Sequence, residues 1–325
     1  MKPKCFLTRK LPQPAMDRFS LTFDLSVNPD DRVLTKDEIV SGVRDTDILA
    51  CLLTDTIDAD IMDAGKNLKG ISNYAVGYNN IDVVAATARK LPVCNTPGVL
   101  TDTTADMAWA LIFSVARRVV ESDTYTRAGK FKGWGPLHFL GGDISGAVLG
   151  IIGAGRIGTA IAKRAAGFNM TILYTDFQPN LSLEETTGAK FVNQKELLKT
   201  ADFVSLHVPL NKETRHLISA PELEMMKSTA YLINTARGPI VDEIALIKAL
   251  NTNVIAGAGL DVYELEPELT PGLAKCTNAV LTPHIASASV QTRTKMGLLC
   301  VENAIAMYEG RKPKHIVNPE VLGKI

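Results

Sequence analysis

A chain of 325 residues, 46% of them hydrophobic, can bury a large core and is long enough for two domains rather than one. Lysine plus arginine equals aspartate plus glutamate at 35 each, so no global field draws the chain to nucleic acid or an anionic membrane, and any anion site must be local. Cys5, Cys51, Cys94, Cys276 and Cys300 are widely spaced with no C-x-x-C pair, which excludes a thiolate zinc site or dithiol redox couple and points to buried, reduced thiols.

The opening MKPKCFLTRKLPQP lacks a long apolar stretch of the secretory kind, no segment reaches membrane-spanning length, and the ending VLGKI is not a peroxisomal tripeptide. A cytoplasmic protein is expected. CFLT, DILACLLTD, LKGISNYAVG and LPVCNTPG then read as strands, with helices such as IDVVAATARK between them, a βα alternation that implies a parallel sheet. After Thr96-Pro97-Gly98 the stretch TDTTADMAWALIFSVARRVVESDTYTRAG is expected as one long helix opened by Thr and Asp caps. From Gly146 a second series begins, with AVLGIIG, MTILYTD, KFV, DFVSLHVPL, TAYLINTARG, VIAGAGLDV and AVLTPH as strands of a doubly wound sheet. The last helix, about Val290 to Glu309 and ended by Gly310, is long enough to return to the N-terminal unit, so that domain is discontinuous. The expected division is 1–98 with 290–325, and 99–289.

Gly153, Gly155 and Gly158 follow the apolar strand AVLGII and open a helix with Ile157, Ala160, Ile161 and Arg164 on one side. Gly153 would make the tight turn, Gly155 would admit a pyrophosphate to the backbone, and Gly158 would let helix and strand pack. A tight turn that binds nothing is the alternative. Asp176 ends the next strand near the roughly 20-residue offset at which an acidic side chain meets the adenosine ribose, where it repels a 2′-phosphate. NAD is therefore expected over NADP, unless Asp176 is merely a solvated strand-end carboxylate.

Three residues downstream have the chemistry for hydride transfer to a 2-oxo acid. His284, in LTPHIAS, is the best placed of five histidines to act as acid and base; His138, His216 and His315 read as surface residues and His207 as a core or cofactor-rim residue. Glu266, in LDVYELEP, could hold the imidazole's tautomer and favour its charged form, or form a solvated acidic turn with Glu264. Arg237, in LINTARGPIVD, offers a planar fork suited to a carboxylate beside a carbonyl, or a salt bridge at a strand end. No metal-ligand spacing competes.

NYAVGYNNID, NTPGVLTDTTAD, GIIGAGRIG, INTARG, GAGLDVYELEP and LTPHIAS, in this order over nearly the whole chain, resemble the D-isomer-specific 2-hydroxyacid dehydrogenases, most closely their glyoxylate reductase and hydroxypyruvate reductase branch. The resemblance implies two Rossmann-like α/β domains, a flavodoxin-like substrate domain and an NAD-binding one. It implies Arg237, Glu266 and His284 as catalytic residues, and substrate contacts at Leu53, at the backbone amides of Val76 and Gly77, and at Arg237. On the cofactor side it implies Ala154, Gly155, Arg156 and Ile157 at the pyrophosphate and Asp176 at the ribose. Thr104, Thr235, Ala236, Asp261 and His284 would surround the nicotinamide half, with His207, Pro209 and Thr214 at the adenine end. Trp134 matches a tryptophan that reaches the partner subunit's pocket in this branch, implying a homodimer; otherwise it only packs its own loop. Ala286 stands where the family often has glycine, and Asp176-Phe177 departs from the small residue and arginine of NADP-using members. The expected reaction is NAD-dependent reduction of glyoxylate, hydroxypyruvate or a similar small 2-oxo acid. Phosphoglycerate, D-lactate and formate dehydrogenases are rivals within the family, and an NADH-gated binding protein of the corepressor kind is the rival outside it.

Overall fold

The computed structural model describes residues 1–322, so the last three residues of the VLGKI ending lie outside the described residues. The chain divides into two compact units, Met1–Leu100 together with the segment from Ala288 onward, and Thr101–Ser287. Among the described residues no helix is long and apolar enough to cross a membrane.

The first unit begins with β1 (Lys4–Leu7), α1 (Gln13–Thr22), β2 (Asp24–Val27), α2 (Lys36–Val43) and β3 (Ile48–Leu52), and continues through α3 (Ala59–Ala64), β4 (Gly70–Tyr74), α4 (Val83–Ala88) and β5 (Val93–Cys94). All its strands are parallel, in the order β2-β1-β3-β4-β5. Helix starts are set by side-chain caps: Thr35 and Glu38 form a reciprocal capping box on α2, while Asp58 and Asp82 accept the amides of Ile61 and Ala85. β2 was not expected. Its DLSV run is a short edge strand that leaves Asp24 and Ser26 in water and only half-buries Leu25 and Val27, so it lacks the continuous apolar run of the inner strands.

The second unit opens with α5 (Thr101–Ala116) and α6 (Val119–Arg127), where the sequence suggests one helix. The break has a local cause. Arg118 is left-handed at φ 51°, and the returning Gly142 donates its amide to the Ala116 carbonyl at 3.0 Å, taking the acceptor a continuing helix would use. Gly141 is required there, because a Cβ would lie 2.0 Å from that carbonyl oxygen.

The unit continues through β6 (Val148–Ile152), α7 (Arg156–Ala165), β7 (Thr171–Thr175), α8 (Leu181–Thr187), β8 (Lys190–Phe191), α9 (Gln194–Thr200) and β9 (Phe203–Leu206). It closes with α10 (Ala220–Met225), β10 (Tyr231–Asn234), α11 (Glu243–Asn251), β11 (Gly257–Leu260) and β12 (Ala279–Leu281). The parallel order β12-β11-β10-β9-β6-β7-β8 is doubly wound and buried on both faces, with one core around Leu197, Val204, Leu232 and Leu260 and another around Trp109, Ile151, Ile161 and Phe203. The expected strands from AVLGIIG to AVLTPH are all present.

The chain then supplies α12 (Val290–Tyr308), capped by Ser289 and followed by Gly310 at φ 70°, to the first unit. Its Met296, Cys300, Val301 and Ala304 share a core with Cys5, Leu7, Phe19 and Ile48. All five cysteines are buried free thiols, as expected, and burial pushes Cys94 and Cys300 up to about 12, which keeps them unreactive.

Candidate active site

Three neighbouring strands deliver the expected reacting residues. β10 leads into Arg237, β11 into Glu266 and β12 into His284, so the carboxyl ends of adjacent strands bring the three together in one unit. His284 Nδ1 lies 2.9 Å from Glu266 Oε2, and the other carboxylate oxygen accepts the Tyr263 amide at 2.8 Å. Burial raises the Glu266 carboxyl, but its bond to His284, the charge of His284, the Tyr263 amide and the Arg237 charge together hold it below its ordinary value. Burial pulls the Arg237 guanidinium down, opposed by Glu266. Glu264 does not share in this: its carboxylate meets His216 Nε2 at 2.6 Å and Arg215 at 3.2 Å, so the two glutamates are not one solvated turn.

His284 has a left-handed backbone, φ 52°, unusual for a side chain with a Cβ. The conformation is held by its own amide on the Asp261 carbonyl and by the Asp261 carboxylate. That fully buried carboxylate accepts the Ile285 amide at 2.8 Å, the Ala286 amide at 2.7 Å and the Thr282 hydroxyl at 2.6 Å. Asp261, expected beside the nicotinamide, thus positions the His284 loop.

Arg237 is aimed in the same manner by Asn234, a residue the sequence reading passed over. Asn234 is buried, donates to the Arg237 carbonyl at 2.9 Å and accepts the Ala236 amide at 3.0 Å. Gly238 follows because a Cβ there would lie 1.9 Å from the Tyr263 backbone. Glu243, also missed, is buried at the start of α11; it accepts the Glu264 amide at 2.9 Å and the Thr270 hydroxyl, and so ties down the segment that bears Glu266.

The glycine loop sits between β6 and α7. Gly153 has φ 96° and backs onto His207, where a Cβ would come within 2.7 Å of its carbonyl carbon, while at Gly158 a Cβ would meet the Gly153 oxygen at 2.1 Å. Gly155 faces open space and is exposed with Arg156, at a helix start whose first amides have no partner inside the helix. Asp176 directly follows β7 and accepts the Ala154 amide at 2.7 Å and the Phe177 amide at 2.7 Å, so Ala154 spends its donor inside the loop rather than toward a phosphate. The buried Thr235 hydroxyl has no hydrogen-bond partner, an orphan that a bound polar group would satisfy. Thr104 is buried beside Ala105 in α5, Pro209 is exposed, and Thr214 turns its hydroxyl onto the Pro209 carbonyl at 2.6 Å. These residues fit a dinucleotide: an open backbone approach, free helix amides and an unsatisfied hydroxyl lie along one sheet edge.

His207 is half-buried with Nε2 2.7 Å from the Ser205 hydroxyl, and burial carries it down to about 3. The unfolded imidazole takes its proton near 6.5, so this residue contributes nothing to acid sensitivity above that pH and weakens the fold as pH falls from there toward 3. His207→Gln should flatten the rise of unfolding free energy with pH in this window by at most one proton, about 1.4 kcal/mol per pH unit, measured by urea titrations. An unchanged slope would mean the imidazole charges freely in the folded state.

In the first unit, Val76 and Gly77 follow β4, with their carbonyls fixed by side-chain amides: the half-buried Asn95 donates from Nδ2 to Val76 at 2.7 Å and the buried Asn73 from Nδ2 to Gly77 at 2.9 Å. Leu53, just after β3, is 36% exposed, and Trp134, in the loop after α6, is 86% exposed.

Residues 109–286 match the model of the D-isomer specific 2-hydroxyacid dehydrogenase NAD-binding domain. A glyoxylate reductase of Korarchaeum cryptofilum is 49% identical over 99% of this chain and 98% of its own. The chain belongs to the D-isomer specific 2-hydroxyacid dehydrogenases. Among solved structures, a protein of Thermus thermophilus shares 44% identity at a TM-score of 0.90, covering 97% of this chain and 99% of its own. An NADPH-dependent glyoxylate/hydroxypyruvate reductase of Sinorhizobium meliloti, in complex with NADP and malonate, shares 33% identity at 0.85, covering 98% and 97%. As a member of this family the dehydrogenase is an oxidoreductase acting on CH–OH donors, with a nicotinamide cofactor on its second unit and a small 2-oxo acid as the oxidised substrate.

Proposed function

We propose that this dehydrogenase uses NADH to reduce glyoxylate, hydroxypyruvate or a similarly small 2-oxo acid to the D-2-hydroxy acid. The observation that carries the mechanism is the 2.9 Å bond from His284 Nδ1 to Glu266, which leaves Nε2 to give up a proton. The bound nicotinamide supplies the hydride. His284 protonates the carbonyl oxygen as charge develops on it, Glu266 holds the ring's tautomer and stabilises its charged form, and Arg237 grips the substrate carboxylate through two parallel hydrogen bonds. We assign the amides of Val76 and Gly77 as further donors to substrate anions, with Leu53 as an apolar contact.

Gly155 to Ile157 would take the pyrophosphate, Asp176 the adenosine ribose, and Thr235 with Ala236 the nicotinamide half. Thr104 belongs with this half, His207, Pro209 and Thr214 with the adenine end. A carboxylate fixed by two backbone amides cannot turn away from a 2′-phosphate, and like charges in contact cost several kcal/mol. The panel to run is glyoxylate, hydroxypyruvate, pyruvate and phosphohydroxypyruvate with each coenzyme, followed at the nicotinamide absorbance. NADH should exceed NADPH in kcat/KM by about tenfold or more. An equal or reversed preference would overturn the cofactor assignment, and no oxidation of either coenzyme the activity itself.

A homodimer is the assembly we infer. Val119, Val120, Phe131, Trp134, Leu137 and Leu140 are exposed along α6 and the loop after it, a concentration of apolar side chains that singly scattered surface residues do not make. Ultracentrifugation should find two chains per particle. Trp134→Ala should keep the dimer and raise KM by about thirtyfold, the equivalent of the roughly 2 kcal/mol that a tryptophan anchor seated in a partner's pocket contributes; unchanged kinetics would restrict Trp134 to packing.

A further inference from the structure

The first sheet has its own topological switch point, used by none of the assignments above. In the order β2-β1-β3-β4-β5 the chain leaves β1 in one direction for β2 and in the other for β3, and such a reversal opens a crevice at the strands' carboxyl ends. A cavity of about 260 Å³ lies there, bounded by the Arg9–Pro12 loop after β1, Leu52 at the end of β3, Tyr74 at the end of β4, and Asp31 and Arg293.

Its charge is one-sided. Arg9, Lys10 and Arg293 face it with Asp31 as the single carboxylate among the described residues, and Asp31 is already engaged by Arg9 Nε at 2.7 Å. Arg293, one turn into α12, makes no ion pair among the described residues, and its Nε is buried without a hydrogen-bond partner. A buried guanidinium nitrogen left unsatisfied loses its hydration with nothing in return, so its persistence calls for an acceptor. Tyr74 does not fill that role: its hydroxyl donates to the Arg293 carbonyl at 2.8 Å, and burial raises the phenol to about 12 against the nearby Arg293 charge. Leu11 and Leu52 supply apolar walls that strengthen any ion pairing inside.

We propose that this crevice binds a compact oxyanion, a phosphate or carboxylate group, held by the Arg293 fork with Arg9 and Lys10. Planar recognition by arginine suits two oxygens of one such group. The group could arrive as a free ion or as the distal end of a 2-oxo acid; the chemistry that recognises it is the same.

Calorimetric titration of the purified protein with inorganic phosphate, at an ionic strength held constant with sodium chloride, reads the site without any activity. Wild type should bind saturably, and Arg293→Gln should bind at least tenfold more weakly. Lys10→Gln, at an exposed position that cannot disturb the core, should weaken binding severalfold, which covers the case in which the first variant melts early. Any phosphate held at the glycine loop is common to all three proteins and cancels. No binding, or equal binding in wild type and both variants, overturns the proposal. Competition separates the sources: phosphate displaced by 2-oxo acids with a terminal carboxylate or phosphate marks a substrate end group, and phosphate indifferent to all of them marks a free ion. Absence of dehydrogenase activity would leave the titration result untouched.

Discussion

His284→Asn should lower turnover of a 2-oxo acid by about 10²–10⁴ while NADH still binds, the range expected for loss of a positioned general acid. Asparagine is the informative replacement, because the backbone at this position is left-handed and asparagine accepts that conformation more readily than alanine. The Asp261 carboxylate would still hold the Ile285 and Ala286 amides, so the loop should keep its shape. Coenzyme binding followed by nicotinamide fluorescence and turnover measured on the same preparation separate the two effects. A variant within a few-fold of wild type in kcat would remove His284 from the proton transfer and leave the Glu266 bond a structural one.

The parts of this site that were legible in the sequence are those whose chemistry is carried by residue type: a glycine spacing after an apolar strand, an arginine, a glutamate and a histidine each just past a strand. Parallel pairing of β10, β11 and β12 as neighbours turned three distant positions into one cluster. What escaped notice was the set of residues that aim them. Asn234, Asn73 and Asn95 are uncharged amides whose value lies wholly in the backbone carbonyls they reach, and nothing in a spacing distinguishes them from solvated turn residues. The resemblance places Asp261 around the nicotinamide half, but that its buried carboxylate also braces the His284 loop depends on backbone amides no spacing reveals. The long helix after Pro97 looked continuous because helix propensity is local, while the Gly142 amide that ends it at Ala116 returns from more than twenty residues away. β2 was invisible for the converse reason, an edge strand with too little apolar content to show a pattern.

Replacing Arg237 with methionine should reduce kcat/KM by about 10²–10⁴, from the loss of two charge-assisted hydrogen bonds of roughly 1.5–3 kcal/mol each. Lysine should recover only part of this, since a point charge cannot span two oxygens of a carboxylate and its neighbouring carbonyl. The same substitution should be felt at Glu266. Burial raises that carboxyl and the Arg237 charge is among the forces that hold it down, so removing the guanidinium should move its titration upward. A carboxyl depressed in the folded state contributes stability that is present above its unfolded value and lost as pH falls through the folded one. With the depression weakened, the contribution shrinks and disappears at a higher pH, and the acid limb of activity should shift the same way because a protonated Glu266 no longer favours charged His284. Full pH profiles of wild type, Arg237→Lys and Arg237→Met measure both consequences at once. A large loss of kcat/KM with an unmoved acid limb would mean that Arg237 holds substrate alone and has no part in tuning the pair beside it.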